Sequence, residues 1–175
     1  KKRAGWFEKL NWQDVTDLQQ AQYLVRSFLC FSARDIERAY LYYYNDDDQA
    51  SVHAASGITR SFQPKASFWA LKHFYETLGA YRFDRVVTQE SNRLYLYEFV
   101  HDTDPDKLIW VAWSPTGDGR EQRLTLPSLP APIKKIQGMP GIEGPVLELP
   151  YQSLSTGHLS LTINESPAYV LMGSL

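Results

Sequence analysis

From Thr16 onward, apolar residues recur at Leu18, Ala21, Leu24, Val25, Phe28 and Phe31, the three-and-four spacing that lines one face of a helix. Thr16-Asp17-Leu18-Gln19 has the form of a capping box, in which the Thr hydroxyl takes an orphan N–H and the Gln reaches back. Together they predict a helix from this point to about Ala33. After Ser32-Ala33-Arg34-Asp35 the pattern changes, and Ala39-Tyr40-Leu41-Tyr42-Tyr43-Tyr44 is apolar or aromatic at every position. Such a run predicts a parallel strand covered on both faces. It ends at Asn45-Asp46-Asp47-Asp48, and a long loop through Ser56-Gly57 leads to Gln63. A second helix follows, with Pro64 in its first turn, Gly79 as the left-handed residue after its last, and Phe68, Leu71, Phe74, Tyr75 and Leu78 on its buried face.

From Tyr81 the texture becomes short alternating segments separated by turn residues, the mark of an antiparallel sandwich or barrel. Strands are predicted at Phe83–Thr88, Arg93–Val100, Lys107–Trp113, Gln122–Leu126, Ile133–Gln137, Pro145–Leu149, His158–Ile163 and Ala168–Met172. Leu94, Leu96, Leu159, Leu161 and Ile163 alternate with polar neighbours and should face inward. Trp110 and Trp113 lie three apart and should point to opposite faces, one into the core and one partly exposed. The fold class is therefore α+β, with a boundary between residues 1–80 and 81–175. A lone helix–strand–helix cannot cover a strand on both faces, so residues 1–80 require more sheet from elsewhere.

Composition narrows the picture. With 43% hydrophobic and 22% charged residues, the chain has the make-up of an ordinary folded domain. A net charge of −2 gives no positive field for holding nucleic acid. No apolar run is long enough to predict a membrane span. The single cysteine, Cys30, excludes an internal disulfide and sits among Phe28, Leu29 and Phe31 as a structural thiol. Aromatic residues, at 14% with eleven Tyr and five Trp, exceed what a core needs and suit contact with sugars or partner surfaces, although β-rich domains also carry many. No signal peptide is visible, and the absence of an initiator Met suggests numbering that starts inside a longer or processed chain.

Few motifs carry chemistry. Tyr44-Asn45-Asp46-Asp47-Asp48 ends a predicted parallel strand, where carboxylates and an amide could grip sugar hydroxyls, but the same residues make an ordinary Asx-rich turn. A Ca²⁺ site does not fit the spacing of an EF-hand loop. His53, in the loop beyond, could hydrogen-bond across a site rim or simply be a surface histidine. His73, His101 and His158 show no metal-ligand spacing, and Ser56-Gly57 lacks the context of a nucleophile elbow. Neither a metal nor a cofactor is expected. Asn164-Glu165-Ser166 has the form of a glycosylation acceptor, followed by Pro167.

The stretch from Asp17 to Phe28 resembles the helix before the eighth strand in clan-A glycoside hydrolases with a (β/α)8 barrel. Arg38-Ala39-Tyr40-Leu41-Tyr42-Tyr43-Tyr44-Asn45-Asp46 looks like that eighth strand with its polar tip. The Gly-containing phrase His53-Ala54-Ala55-Ser56-Gly57-Ile58-Thr59-Arg60 is similar to the loop that follows, and Gln63-Pro64-Lys65-Ala66-Ser67-Phe68-Trp69-Ala70-Leu71 to the opening of the closing helix. The resemblance implies the seventh helix, eighth strand and eighth helix of such a barrel, followed by an antiparallel β-sandwich. It implies an oligo- or polysaccharide substrate, a secreted or periplasmic location, and the remainder of the barrel as partner, either upstream chain or a second polypeptide. Tyr44, Asn45, Asp46, Asp48 and His53 become the substrate-binding candidates.

The catalytic pair in those enzymes is two Glu residues at the ends of the fourth and seventh strands, the second in a Glu-x-Gly-aromatic phrase. Gly5-Trp6 fits the Gly-aromatic part, but Arg3 stands where the Glu belongs. Glu8 is the nearest carboxylate and a poor substitute, so the catalytic acids are expected outside this chain. The alternative function is a non-catalytic carbohydrate-binding or structural sandwich.

Overall fold

The computed structural model describes residues 15–46, 56–116, 119–154 and 158–173. Helix α1, Asp17–Ser32, begins at the expected capping box: Gln19 N–H donates to Thr16 Oγ1 and Thr16 N–H to Gln19 Oε1. Ala21, Val25 and Leu29 form its fully buried stripe, while Leu18 and Phe31 are exposed, so the buried face is turned from the expected one. Helix α2, Ala66–Leu78, buries Ala70, Leu71, Phe74 and Leu78 but leaves Tyr75 exposed. Its N-cap is Lys65, so Pro64 lies before the first turn, and Gly79 caps it in right-handed geometry with φ −63° instead of a left-handed one.

Between the helices are three two-residue strands, β1 (Asn45–Asp46), β2 (Thr59–Arg60) and β3 (Gln63–Pro64). β1 runs parallel to β2, and β2 antiparallel to β3. The expected strand over residues 39–44 is not formed. Tyr40 and Tyr42 are 83% and 72% exposed, and Tyr43 and Tyr44 are also exposed. A strand needs backbone pairing along its length, and here it begins only at the last residue, where Tyr44 O accepts from the N–H groups of Ile58 and Thr59.

Strand β4 is Tyr81–Glu90, β5 Leu94–His101, β6 Leu108–Trp113, β7 Gln122–Leu126, β8 Ile133–Gly138, β9 Tyr151–Ser153, β10 Leu159–Ile163 and β11 Ala168–Met172. They make a five-stranded antiparallel sheet ordered β4-β5-β6-β11-β8 and a three-stranded one ordered β7-β10-β9. The strand expected at Pro145–Leu149 reduces to one bridge, Gln137 to Glu148, because two prolines, Pro145 and Pro150, bracket it. β9 was not anticipated.

The five-stranded sheet is the middle of three layers. One of its faces sends Leu94, Leu96, Trp110, Ala112, Val170 and Met172 against Leu124, Leu126, Leu159, Leu161 and Ile163 of the smaller sheet. Its other face packs Tyr97, Phe99, Ile109, Val111, Trp113 and Tyr169 against both helices. Trp110 and Trp113 do face opposite ways, but both are buried, since each face has a cover. Trp113 stacks on Tyr95 at 5.2 Å and meets Tyr97 edge-on at 4.9 Å, forming the seam between helices and sheet. Half-buried Cys30 packs against the same cluster.

Candidate functional site

The polar tip at β1 is built by five segments meeting over a few ångströms. Tyr44 O accepts from the N–H groups of Ile58 and Thr59 and from Thr59 Oγ1, at 2.9, 3.0 and 3.0 Å. Gly57 is required by this closeness: a Cβ there would stand 2.7 Å from Asn45 C and Asp46 N. Gln20 of α1 clamps the loop from outside, its amide donating to Ser56 O and Gly57 O.

Asp46 is the centre of the tip. Its side chain has no exposed surface, its Oδ1 accepts from Gly57 N–H at 2.9 Å, and Lys65 Nζ lies 3.2 Å from Oδ2. Arg60 Nε stands 3.3 Å from the same Oδ2 and its two terminal nitrogens grip Asp17 at 2.8 and 3.0 Å. Lys65 Nζ also donates to Gly57 O at 2.8 Å. The hydrogen bond from Arg60 lowers the Asp17 carboxyl below its usual range against the opposing effect of partial burial, and the same contact raises the Arg60 guanidinium. Asp46 therefore has both oxygens occupied, an arrangement that, through Arg60 and Asp17, fastens the start of α1, the strand tip and the start of α2 together.

Asn45 is half-buried and equally engaged. Its Oδ1 accepts from Phe62 N–H at 2.8 Å and Thr59 Oγ1 at 3.0 Å, and its Nδ2 donates to Asp46 O at 2.7 Å. Tyr44 presents an exposed ring beside it. The structure thus brings Tyr44, Asn45 and Asp46 together, while Asp48 and His53, with Glu8, lie outside the described residues. Lys65, Arg60, Asp17 and Gln20 were not read as site residues. The signal for Lys65 and Arg60 was indirect: a buried aspartate requires a cation, and both lie close downstream in the phrases compared with the barrel enzymes.

A second ionic row crosses the far edge of the five-stranded sheet. Arg85 Nε donates to Glu98 Oε1 at 2.6 Å, and Trp110 Nε1 to Glu98 Oε2 at 2.7 Å. Burial pushes the Glu98 carboxyl up, but these two donors outweigh it and leave it below the usual range. At the seam, Gln22 donates to Ser166 Oγ at 3.0 Å, tying α1 to the turn before β11. Among the described residues no group of three His, Cys, Asp or Glu could hold a metal ion, and no helix is long and apolar enough to cross a membrane.

No protein-family model matches the sequence, and no curated protein matches it significantly. Among solved structures, the chain is similar to a family 39 glycoside hydrolase from the gut symbiont Bacteroides cellulosilyticus WH2, with a TM-score of 0.70 and 22% sequence identity. The match covers 91% of this chain and spans 31% of that enzyme chain, so helices and sheets alike have the fold of one part of a larger glycoside hydrolase.

Proposed function

We propose that this chain is the C-terminal portion of a glycoside hydrolase, with residues 1–80 as the seventh helix, eighth strand and eighth helix of a (β/α)8 barrel and residues 81–175 as the sandwich that caps it. The observation that carries the proposal is the aromatic stretch at Tyr40–Tyr44, exposed yet leading directly into the tightly tied tip at Asn45–Asp46. Four exposed tyrosines in five residues are a poor solvent surface and a good strand for a layer that covers them. Beside them an open groove of about 350 Å³ is lined by Phe28, Phe31, Tyr40, Phe74 and Tyr75, the side on which a neighbouring barrel element would lie. The fold likeness to part of a glycoside hydrolase supports the same reading.

In this reading the substrate is an oligo- or polysaccharide. Hydrolysis retains configuration through two carboxyl groups ~5 Å apart, both contributed from outside this chain. Tyr44 meets the sugar at the barrel mouth with Asp48 and His53, and Asn45 and Asp46 hold the shape of that mouth. The sandwich acts as a structural cap in preference to a sugar-binding module. A binding module needs a row of exposed aromatics, whereas Tyr151 is the one exposed aromatic among the described residues from 81 onward.

Amide hydrogen exchange tests the barrel placement. Residues 40–44 should exchange fast in the isolated chain and become protected by orders of magnitude once the remaining barrel strands are supplied. Equal, fast exchange in both states would remove the strand from the barrel.

A further inference from the structure

The tip carries a feature that the packing of this chain does not explain. β2 and β3 are joined by a two-residue loop, Ser61-Phe62, with Arg60 paired to Gln63. Both loop residues have left-handed backbones, with φ 50° at Ser61 and 58° at Phe62. Tight hairpins of this kind favour Asn-Gly, and a bulky aromatic at positive φ is a conformational outlier. Phe62 gains nothing from the core in return, since it is 76% exposed. Its strained backbone is held by the Asn45 side chain, which accepts the Phe62 N–H at 2.8 Å. Because β1 and β2 run parallel, this hairpin projects beyond the C-terminal end of β1. That is the end where barrel enzymes assemble their sites.

We propose that Phe62 is a sugar-stacking residue, its flat apolar ring lying against the C–H face of a pyranose unit, and that Asn45 is the positioning residue that keeps it there. Backbone strain that the surrounding structure maintains without a packing return is what a preorganised contact residue shows. The inference rests on the glycoside hydrolase reading and deepens it by naming a residue that receives the substrate.

The test uses the chain together with the polypeptide carrying the rest of the barrel, and measures thermal midpoint, kcat, KM and affinity for cellohexaose, xylohexaose and mannohexaose. Phe62→Gly suits the left-handed backbone, so the midpoint should hold or rise while affinity for the bound hexaose falls about tenfold, with KM moving more than kcat. Phe62→Tyr should restore affinity and Phe62→Leu should not. Asn45→Ala should raise KM in the same way, Asn45→Asp should recover it, and the Asn45→Ala/Phe62→Gly pair should lose no more than Phe62→Gly alone. Unchanged affinity in Phe62→Gly overturns the inference and leaves the parent reading intact. A midpoint lowered by several degrees also overturns it, because Phe62 then packs against the barrel. Failure of the unaltered complex to bind any hexaose or cleave any glycoside overturns the parent reading and the inference with it.

Discussion

Lys65 Nζ lies 3.2 Å from Asp46 Oδ2, with the two side chains 3% and 0% exposed. Removing one member of a buried pair strands the other, at a cost of about 3–5 kcal/mol, whereas an apolar pair of similar volume can be nearly neutral. Asp46→Leu and Lys65→Met should each destabilise the chain strongly in urea unfolding, and the double variant should cost less than the sum of the two. Additive losses would mean that the pair is not an energetic unit.

Gly57 should tolerate no side chain. A Cβ would fall 2.7 Å from backbone atoms of Asn45 and Asp46, which cannot rotate away as a side chain could. Gly57→Ala should lower stability by about 1–3 kcal/mol through forced separation of β1 from the loop. A thermal midpoint equal to that of the unaltered chain would contradict the close approach.

Glu98 makes stability depend on acid. Its carboxyl is lowered in the folded chain, so the folded state binds fewer protons than the unfolded one, and the stability it contributes is complete above the unfolded pKa of about 4.3. That contribution is lost as pH falls through the folded pKa. The difference in unfolding free energy between the unaltered chain and Glu98→Gln should be largest near pH 6–7 and shrink below about pH 4. A difference that grows toward acid would reverse the sign of the argument.

Trp113→Ala should open a cavity at the seam, since the indole is buried between sheet and helices and stacks on Tyr95. The expected loss is about 3–5 kcal/mol. If the helices and the five-stranded sheet share their core as the packing indicates, circular dichroism and tryptophan fluorescence should report a single unfolding transition. Separate transitions would mean that helices and sandwich unfold independently.

Local rules made much of this fold legible. The capping box at Thr16–Gln19 placed the start of α1 correctly, because both of its hydrogen bonds are satisfied within four residues. Alternation placed Leu94, Leu96, Leu159, Leu161 and Ile163 in one core. The rule for doubly covered strands picks out Tyr40–Tyr44, which is exposed, whereas Leu108–Trp113, apolar at every position and expected only as a sandwich strand with one partly exposed Trp, is the run covered on both faces. Sequence shows the demand for cover, but whether cover exists depends on distant chain. The Asp46–Lys65–Arg60–Asp17 tie was illegible for the same reason, since it joins residues as far apart in the chain as Asp17 and Arg60, 43 positions, and Asp17 and Lys65 through geometry that no local spacing encodes. The polar tip was visible as a cluster, yet only the fold distinguishes the buried Asp46 from the exposed Tyr44.

Glycoside hydrolysis by assembled and separated parts tests the central claim most directly. The 175-residue chain alone should release no product from a panel of aryl glycosides and polysaccharides, because neither carboxyl group of a catalytic pair is assigned to it. Combined with the polypeptide carrying the first seven strands, it should give turnover with retention at the anomeric carbon, followed by NMR. Turnover by the isolated chain that disappears with Asp46→Asn would contradict the account and move the chemistry to the strand tip.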